Sequence, residues 1–385
     1  MGADLSNSAY AGVAVNEVAV PVNYSLMSDE HLIAEVLDEH APLKPKNLFN
    51  PPFHGEWSVY LPNMKSPRAR TGHFTITDEE NQYSYIGYGT ANNGETLGDL
   101  WRLDLTSLTW KEVKLHNANP KNGCRGVLYN RKIILFGGFI NNSYSNDLQA
   151  IDIDTGSVVL IDQTGDIPEA RSTPLVGLHD HKIYMWGGYN GNWPNSIHVL
   201  DLKNMNWQTY HQHEKGRTSV PSIVSKGRIL SYGGSHASGL FTLDMNLSPP
   251  ETKIYQTFGV SPPPDVMSAG MIRVNDFIFY FGGKAKDSDW TILYALDVPK
   301  KWWFVFHVRP DGETVSISDG SVSENGIFML PRIHSFGAAY SSARRAIVAF
   351  LGWPAVEPPS LFMIKIGEAL SCINMRSDMC QMLKL

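Results

Sequence analysis

The sequence is short of cysteine, of clustered charge and of long apolar runs, and each shortage removes a class of protein. Three cysteines, Cys124, Cys372 and Cys380, in 385 residues are too few and too scattered for a disulfide framework and fit a reducing compartment. The net charge is −6 and the 32 Lys and Arg residues are dispersed, which leaves no basic face for phosphate backbones. Nucleic acid is therefore not an expected partner. No apolar run approaches the ~20 residues that a bilayer crossing needs. The N-terminus lacks the basic-then-apolar order of a secretory signal, so the sequons at Asn23, Asn141 and Asn246 read as chance tripeptides. The expectation is a soluble cytoplasmic protein. Met1-Gly2-Ala3-Asp4-Leu5-Ser6 matches the N-myristoylation pattern at Gly2. One acyl chain without a polybasic patch tethers only marginally, so a membrane enters only if Gly2 is acylated.

What is abundant is glycine, 33 residues, and it recurs in register. Six apolar segments end in a small-residue pair: Tyr85–Gly89, Ile134–Gly138, Tyr184–Gly188, Leu230–Gly234, Phe279–Gly283 and Val348–Gly352. A polar loop follows each, then an alternating strand: Leu100–Asp104, Leu148–Asp152, Ile197–Asp201, Leu240–Asp244, Leu293–Asp297 and Leu361–Lys365. Six residues past the aspartate stands Trp110, Trp207 or Trp303, with Val158 in the second repeat. From Gly137 the doublets lie 50, 46 and 49 residues apart, the interval of a four-stranded blade. Glycine permits close backbone approach, the aspartate closes a hairpin, and the tryptophan fills the wedge between blades. The predicted fold is all-β, a six-bladed β-propeller.

A strand ending in Gly-Gly, a next strand ending in Asp and then a spaced Trp resemble the kelch repeat, over roughly residues 56 to 367. Blade one departs with Gly87-Tyr88-Gly89 and blade six with Leu351-Gly352. Blade four has Pro249-Pro250 in place of the Trp, and Lys253-Ile254-Tyr255 is expected to supply its outer strand. Blade six has no tryptophan after Ile366, so Glu56–Leu61, carrying Trp57, is expected to complete it and remove the open edges. The chain then divides into an extension over 1–52, a propeller over 53–367 and a tail over 368–385. Within the extension, Ser28 caps an expected helix to about His40, and four prolines between Ala41 and Pro52 make an extended linker. The tail, with Leu370, Ile373, Met375, Met379, Met382 and Leu383, reads as a short helix.

No reaction centre is legible, so no enzyme activity, cofactor or metal is expected. There is no Gly-x-Ser-x-Gly elbow, and the glycines lead into loops rather than helices, so they make no phosphate cradle. His179/His181 and His211/His213 have two-ligand spacing but read as solvated turn and outer-strand residues. The resemblance also implies one enzyme alternative, since galactose-oxidase-like enzymes use kelch-type propellers; their copper set of His, Tyr and cross-linked Cys does not recur around Cys124.

Protein binding has positive support. The loops between strands two and three are polar and aromatic, and are expected on the face that also carries the blade-to-blade connections. They present Asn141, Tyr144, Tyr189, Asn190, Trp193, His236, Trp290 and Trp353 as candidate partner contacts. Arg70, Arg171, Arg217 and Arg332 recur near the start of each innermost strand. The kelch resemblance implies a ring at the channel mouth that accepts carboxylates; the alternative is hydrogen bonding between blades. The long connection from His307 to Pro331 is expected on the same face as a cap or contact. The resemblance further implies an adaptor or scaffold, cytoskeletal or within a larger assembly, with a ubiquitin-ligase substrate receptor as the alternative; the chain has no room for the BTB-type domain of many such receptors.

Overall fold

The computed structural model describes residues 55–62, 65–234, 239–285, 291–306, 308–315 and 329–366. The expected N-terminal helix, the C-terminal tail, Gly2, His236, Trp290 and part of the long connection lie outside the described residues. Every element among the described residues is a strand, and they form six antiparallel blades. Blade one is built from Phe74–Thr77, Tyr83–Gly87, Leu100–Asp104 and Thr109–Val113, innermost strand first. Blades two to five repeat this meander with innermost strands Arg125–Tyr129, Leu175–His179, Ser222–Ser225 and Gly270–Val274.

Blade six takes its inner three strands, Gly337–Ser341, Ala346–Phe350 and Leu361–Lys365, from the end of the ring sequence and its outer strand, Gly55–Tyr60, from the beginning. Trp57 opposes Ile364 in that pairing and Tyr60 opposes Leu361. Trp57 is 5% exposed and tilts against Phe362 with ring centroids 5.3 Å apart, so the expected ring closure is realised. In blade four Glu251–Tyr255 forms the outer strand in place of a Trp-bearing one, again as expected.

The apolar core is six separate clusters, one at each junction between neighbouring blades. Blades are therefore two-faced sheets, and their alternation buries both faces. The outer-strand tryptophans reach back onto the second strand of the preceding blade: Trp110 meets Phe350 at 5.8 Å, Trp207 meets Phe136 at 5.6 Å and Trp303 meets Tyr232 at 5.0 Å. The repeat aspartates close their turns by side-chain acceptance, Asp104 Oδ1 from the N–H groups of Thr106 and Ser107 at 2.9 and 2.8 Å.

A hydrogen bond across each junction explains the small-residue pair. The backbone N–H of its second glycine donates to a carbonyl in the segment that enters the next blade. Gly138 donates to Arg171, Gly188 to Arg217, Gly234 to Val266, Gly283 to Ile333 and Gly352 to Arg70, at 2.8–3.0 Å, and Gly89 donates to Lys121 at 3.4 Å. The pair must take left-handed backbone to do this, φ +71° and +108° at Gly137 and Gly138, where L side chains are strained. Blades one and six break the doublet with Tyr88 and Leu351, both at φ 60°. Tyr88 is fully buried and its hydroxyl donates to Gln149 Oε1 of blade two at 3.0 Å.

Outside the ring, the connectors leaving blades two, four and five run along the outer strand of the next blade. Thr164–Gly165 pairs parallel to Asn206–Tyr210, Phe258–Gly259 to Trp302–Val305 and Val308–Pro310 to Gly55–Tyr60. The described start of the long connection is thus a fifth strand on blade six; beyond it Asp311 Oδ1 caps a turn and Thr314 Oγ1 accepts from the Val59 N–H at 2.9 Å. This stretch lies on the outer rim of the ring.

Replacing Trp57 by alanine empties a junction core and also weakens the closing strand. The expected loss is about 3–5 kcal/mol, read as a lowered urea midpoint, whereas Trp193→Ala at an exposed site should change stability by no more than about 0.5 kcal/mol.

Candidate protein-binding face

The loops between strands two and three share one face with the segments that enter each blade. The two sets pair through their backbones: Thr71 with Thr90, Asn122 with Phe139, Ser172 with Tyr189, Met267 with Lys284 and His334 with Trp353. The loops are thereby anchored at their roots to the ring interior.

In blade two, Phe139–Ile140 and Ser143–Tyr144 form a small hairpin turning through Asn141 and Asn142, at φ 50° and 59°. Asparagine tolerates that conformation, which a two-residue hairpin turn demands. The hairpin tilts Phe139 against Tyr144 at 4.9 Å, Tyr144 meets Tyr189 of blade three at 6.2 Å, and Tyr189 meets Trp193 at 5.3 Å. The four rings make one continuous ridge across two blades, ending in Trp193 at 54% exposure. Asn190 ties its root down, Nδ2 donating to Glu169 Oε1 at 3.3 Å, and its own Oδ1 accepts from the Asn192 N–H at 3.2 Å.

Trp353 lies in blade six, three blades from Trp193 and so across the ring. It is 44% exposed and stacks on His334 with centroids 5.0 Å and planes 12° apart. Beside it a groove of about 520 Å³ is lined by Trp353, Val356, Pro359, Phe362, Val59 and Arg332, among others. Glu357 pins this loop to blade one by accepting from the Ala69 N–H at 2.8 Å. Sequence reading thus placed the aromatic residues on one face, but neither the ridge nor the groove, both of which arise from side chains of neighbouring blades.

The arginines have a different employment. Arg70, Arg171 and Arg217 are 0%, 1% and 4% exposed. In each, Nη1 donates at 3.2 Å to a backbone carbonyl, that of Tyr88, Gly187 and Gly233 respectively. These are the first residues of the left-handed pairs, so each guanidinium braces the turn of its own blade while its backbone carbonyl receives the N–H from the blade before. Arg70 is also paired bidentately with Asp99, Nη2 to Oδ2 at 2.8 Å. Lys121 takes the same place in blade two, 3.2 Å from Asp147 Oδ2. Burial holds the guanidinium of Arg171 down to about 10. Blades five and six place Val266 and Ile333 in this position. Arg332 therefore lies one residue out of register with the other three, exposed at the edge of the groove.

Sequence reading missed the residues that line the central shaft. Two positions past the residues whose carbonyls accept the junction bonds stand Gly72, Gly123, Thr173, Ser219, Ser268 and Ser335, all with positive φ. Gly123, Thr173, Ser268 and Ser335 donate their N–H groups to the preceding blade's member at 2.6–2.8 Å, forming a collar. Aligning the six repeats on the arginine position exposes this run of small residues, which is the signal that was available. His73 in this wall and His198, on Ile197–Asp201 away from the shaft, are buried, and burial, then nearby arginine charge, lowers both pKa values to about 3. No group of three or more His, Cys, Asp or Glu capable of holding a metal ion occurs among the described residues.

A family model described as the KLHDC2/KLHL20/DRC7 Kelch-repeats domain matches residues 48–234, the closing strand and the first four Gly pairs. The chain belongs to the kelch-repeat β-propellers. Acyl-CoA-binding domain-containing protein 4 of Arabidopsis thaliana is 24% identical to this kelch chain over 304 residues, 73% of the chain and 44% of that protein. Kelch domain-containing protein 10 of Rattus norvegicus is 26% identical over 163 residues, 38% of the chain and 40% of that protein. Host cell factor 1 of Homo sapiens is 25% identical over 170 residues, 38% of the chain and 8% of that protein. The chain spans less than half the length of each.

Two outcomes follow for the kelch propeller. Arg171→Ala strands the Gly187 carbonyl in a buried site and should cost about 1–3 kcal/mol, seen as a lowered denaturation midpoint. The buried histidines stay neutral in the folded chain but take up a proton below about 6.5 once unfolded. Their folded pKa values are depressed, so the stability they permit is full above pH 6.5 and is lost as pH falls toward 3, by up to about 1.4 kcal/mol per pH unit for each. His198→Gln should flatten the decline in denaturation midpoint between pH 7 and 5.

Proposed function

We propose that this kelch propeller is a non-enzymatic binding module that holds a partner protein against its loop face and serves as a cytoplasmic adaptor or scaffold within a larger assembly, cytoskeletal or otherwise. The observation that carries the reading is the Phe139–Tyr144–Tyr189–Trp193 ridge, whose rings touch in sequence and whose outer end is exposed. Rigidly mounted Tyr and Trp side chains lose little entropy on docking and supply the large desolvated contacts that dominate interfaces. Asn141 and Asn190 rim the ridge, Trp353 and Arg332 offer a second contact across the ring, and His236 and Trp290 belong to the same set of loops. Arg70, Arg171 and Arg217 support this face from beneath.

The test is affinity capture with the purified chain and a Tyr189→Ala/Trp193→Ala variant of equal melting temperature. A stoichiometric partner retained by the parent and weakened at least tenfold in the variant is the expected result. Equal retention by both would remove the ridge from the interface.

A further inference from the structure

The central shaft combines a cation, unpartnered polar atoms and room for a ligand. It has a volume of about 450 Å³ and is lined by residues of all six blades, including Arg125, Thr173, Ser219, Ser268 and Ser335. Arg125 is the one charged residue among the described lining residues, unless the buried His73 is counted, and no Asp or Glu lines the space. The shaft therefore presents positive charge in a hydroxyl-rich wall.

Arg125, partly exposed where it lines the shaft, differs from the buried cations of the ring. Arg70 has Asp99 and Lys121 has Asp147, whereas the contact shown for the Arg125 side chain is Nη1 donating to the Cys124 carbonyl at 2.9 Å. A guanidinium carries five N–H donors in a fixed fork that matches an oxyanion. Its crowded surroundings depress the Arg125 pKa. On the blade-one wall of the shaft, His73 is 6% exposed and its Nδ1 has no protein hydrogen-bond partner; Thr75 Oγ1 on the same wall also has none. Arg125 and His73 line the same shaft, and the charge of Arg125 adds, after burial and Arg70, to the lowering of the His73 pKa. A neutral imidazole there donates a hydrogen bond without adding charge.

A guanidinium with one protein hydrogen bond keeps most of its donor capacity free for a ligand. An oxygen-bearing anion in the shaft accepts from the guanidinium fork, and the neutral imidazole in the same wall adds no like charge. We propose that the shaft is a binding site for a small oxyanion, a phosphate or carboxylate group, seated on Arg125 with His73 in the same wall. The site lies inside the ring, away from the Tyr189–Trp193 ridge, and does not depend on the loop face binding a protein.

The experiment uses the full chain, inorganic phosphate and acetate as separate probes, and chloride at matched ionic strength as the control. Calorimetric titration and thermal melting should show phosphate or acetate binding and raising the melting temperature beyond chloride, by linkage. Phosphate alone identifies a tetrahedral anion, and acetate at comparable affinity identifies a carboxylate site. Arg125→Met should weaken binding at least tenfold yet melt no lower than the parent in the chloride control, since it removes an unpaired charge. Arg125→Lys should bind several-fold more weakly than the parent, and this comparison decides the matter if the methionine variant does not fold. No binding of either anion by the parent, or equal binding by parent and variants, overturns the proposal.

Discussion

The ring is held by a hydrogen bond repeated at every junction, from the N–H of the second residue of each small pair to a carbonyl in the segment entering the next blade. An unpaired buried amide would cost as much as several good contacts return, so the bond fixes how closely neighbouring blades approach. That approach in turn dictates the rest. The donor must sit on left-handed backbone, so glycine is favoured there. The acceptor segment must be braced, and buried Arg70, Arg171 and Arg217 do so. Only once the spacing is set can Trp110, Trp207 and Trp303 fill the wedges on their outer side.

This dependence explains how much was legible in the sequence. Glycine pairs, closing aspartates and spaced tryptophans are local consequences of one repeated geometry, so six copies revealed the blades, and the missing tryptophan of blade six pointed to Trp57. The arginines were legible as a set, but their bonds to Tyr88, Gly187 and Gly233 run across a turn of about sixteen residues that spacing alone does not display. Arg332 entered the set because it looks like the others by residue type; the register of hydrogen bonds gives its position to Ile333. Arg125 was overlooked because it has no counterpart in the other blades: the places equivalent to it hold Phe74, Leu175, Pro221, Gly270 and Gly337.

Support and recognition are therefore layered. Buried cations and carbonyls hold the loop roots, and the exposed ring faces of Trp193 and Trp353 stand above them on opposite sides of the shaft mouth. Because each loop root pairs with the ring interior, a partner meets a surface whose backbone is already ordered, which lowers the entropy lost on association.

The shared sheet of blade six joins the first strand synthesised in the ring to the last. On the ribosome, Gly55–Tyr60 emerges about 300 residues before Leu361–Lys365, and through that interval the edge that will take Leu361–Lys365 has no partner from its own chain. Two nascent copies on one message can therefore exchange these strands, each completing the other's final blade. The seal that closes a monomer is the same one that would lock two chains together, and which of them forms depends on how soon each chain's own end arrives.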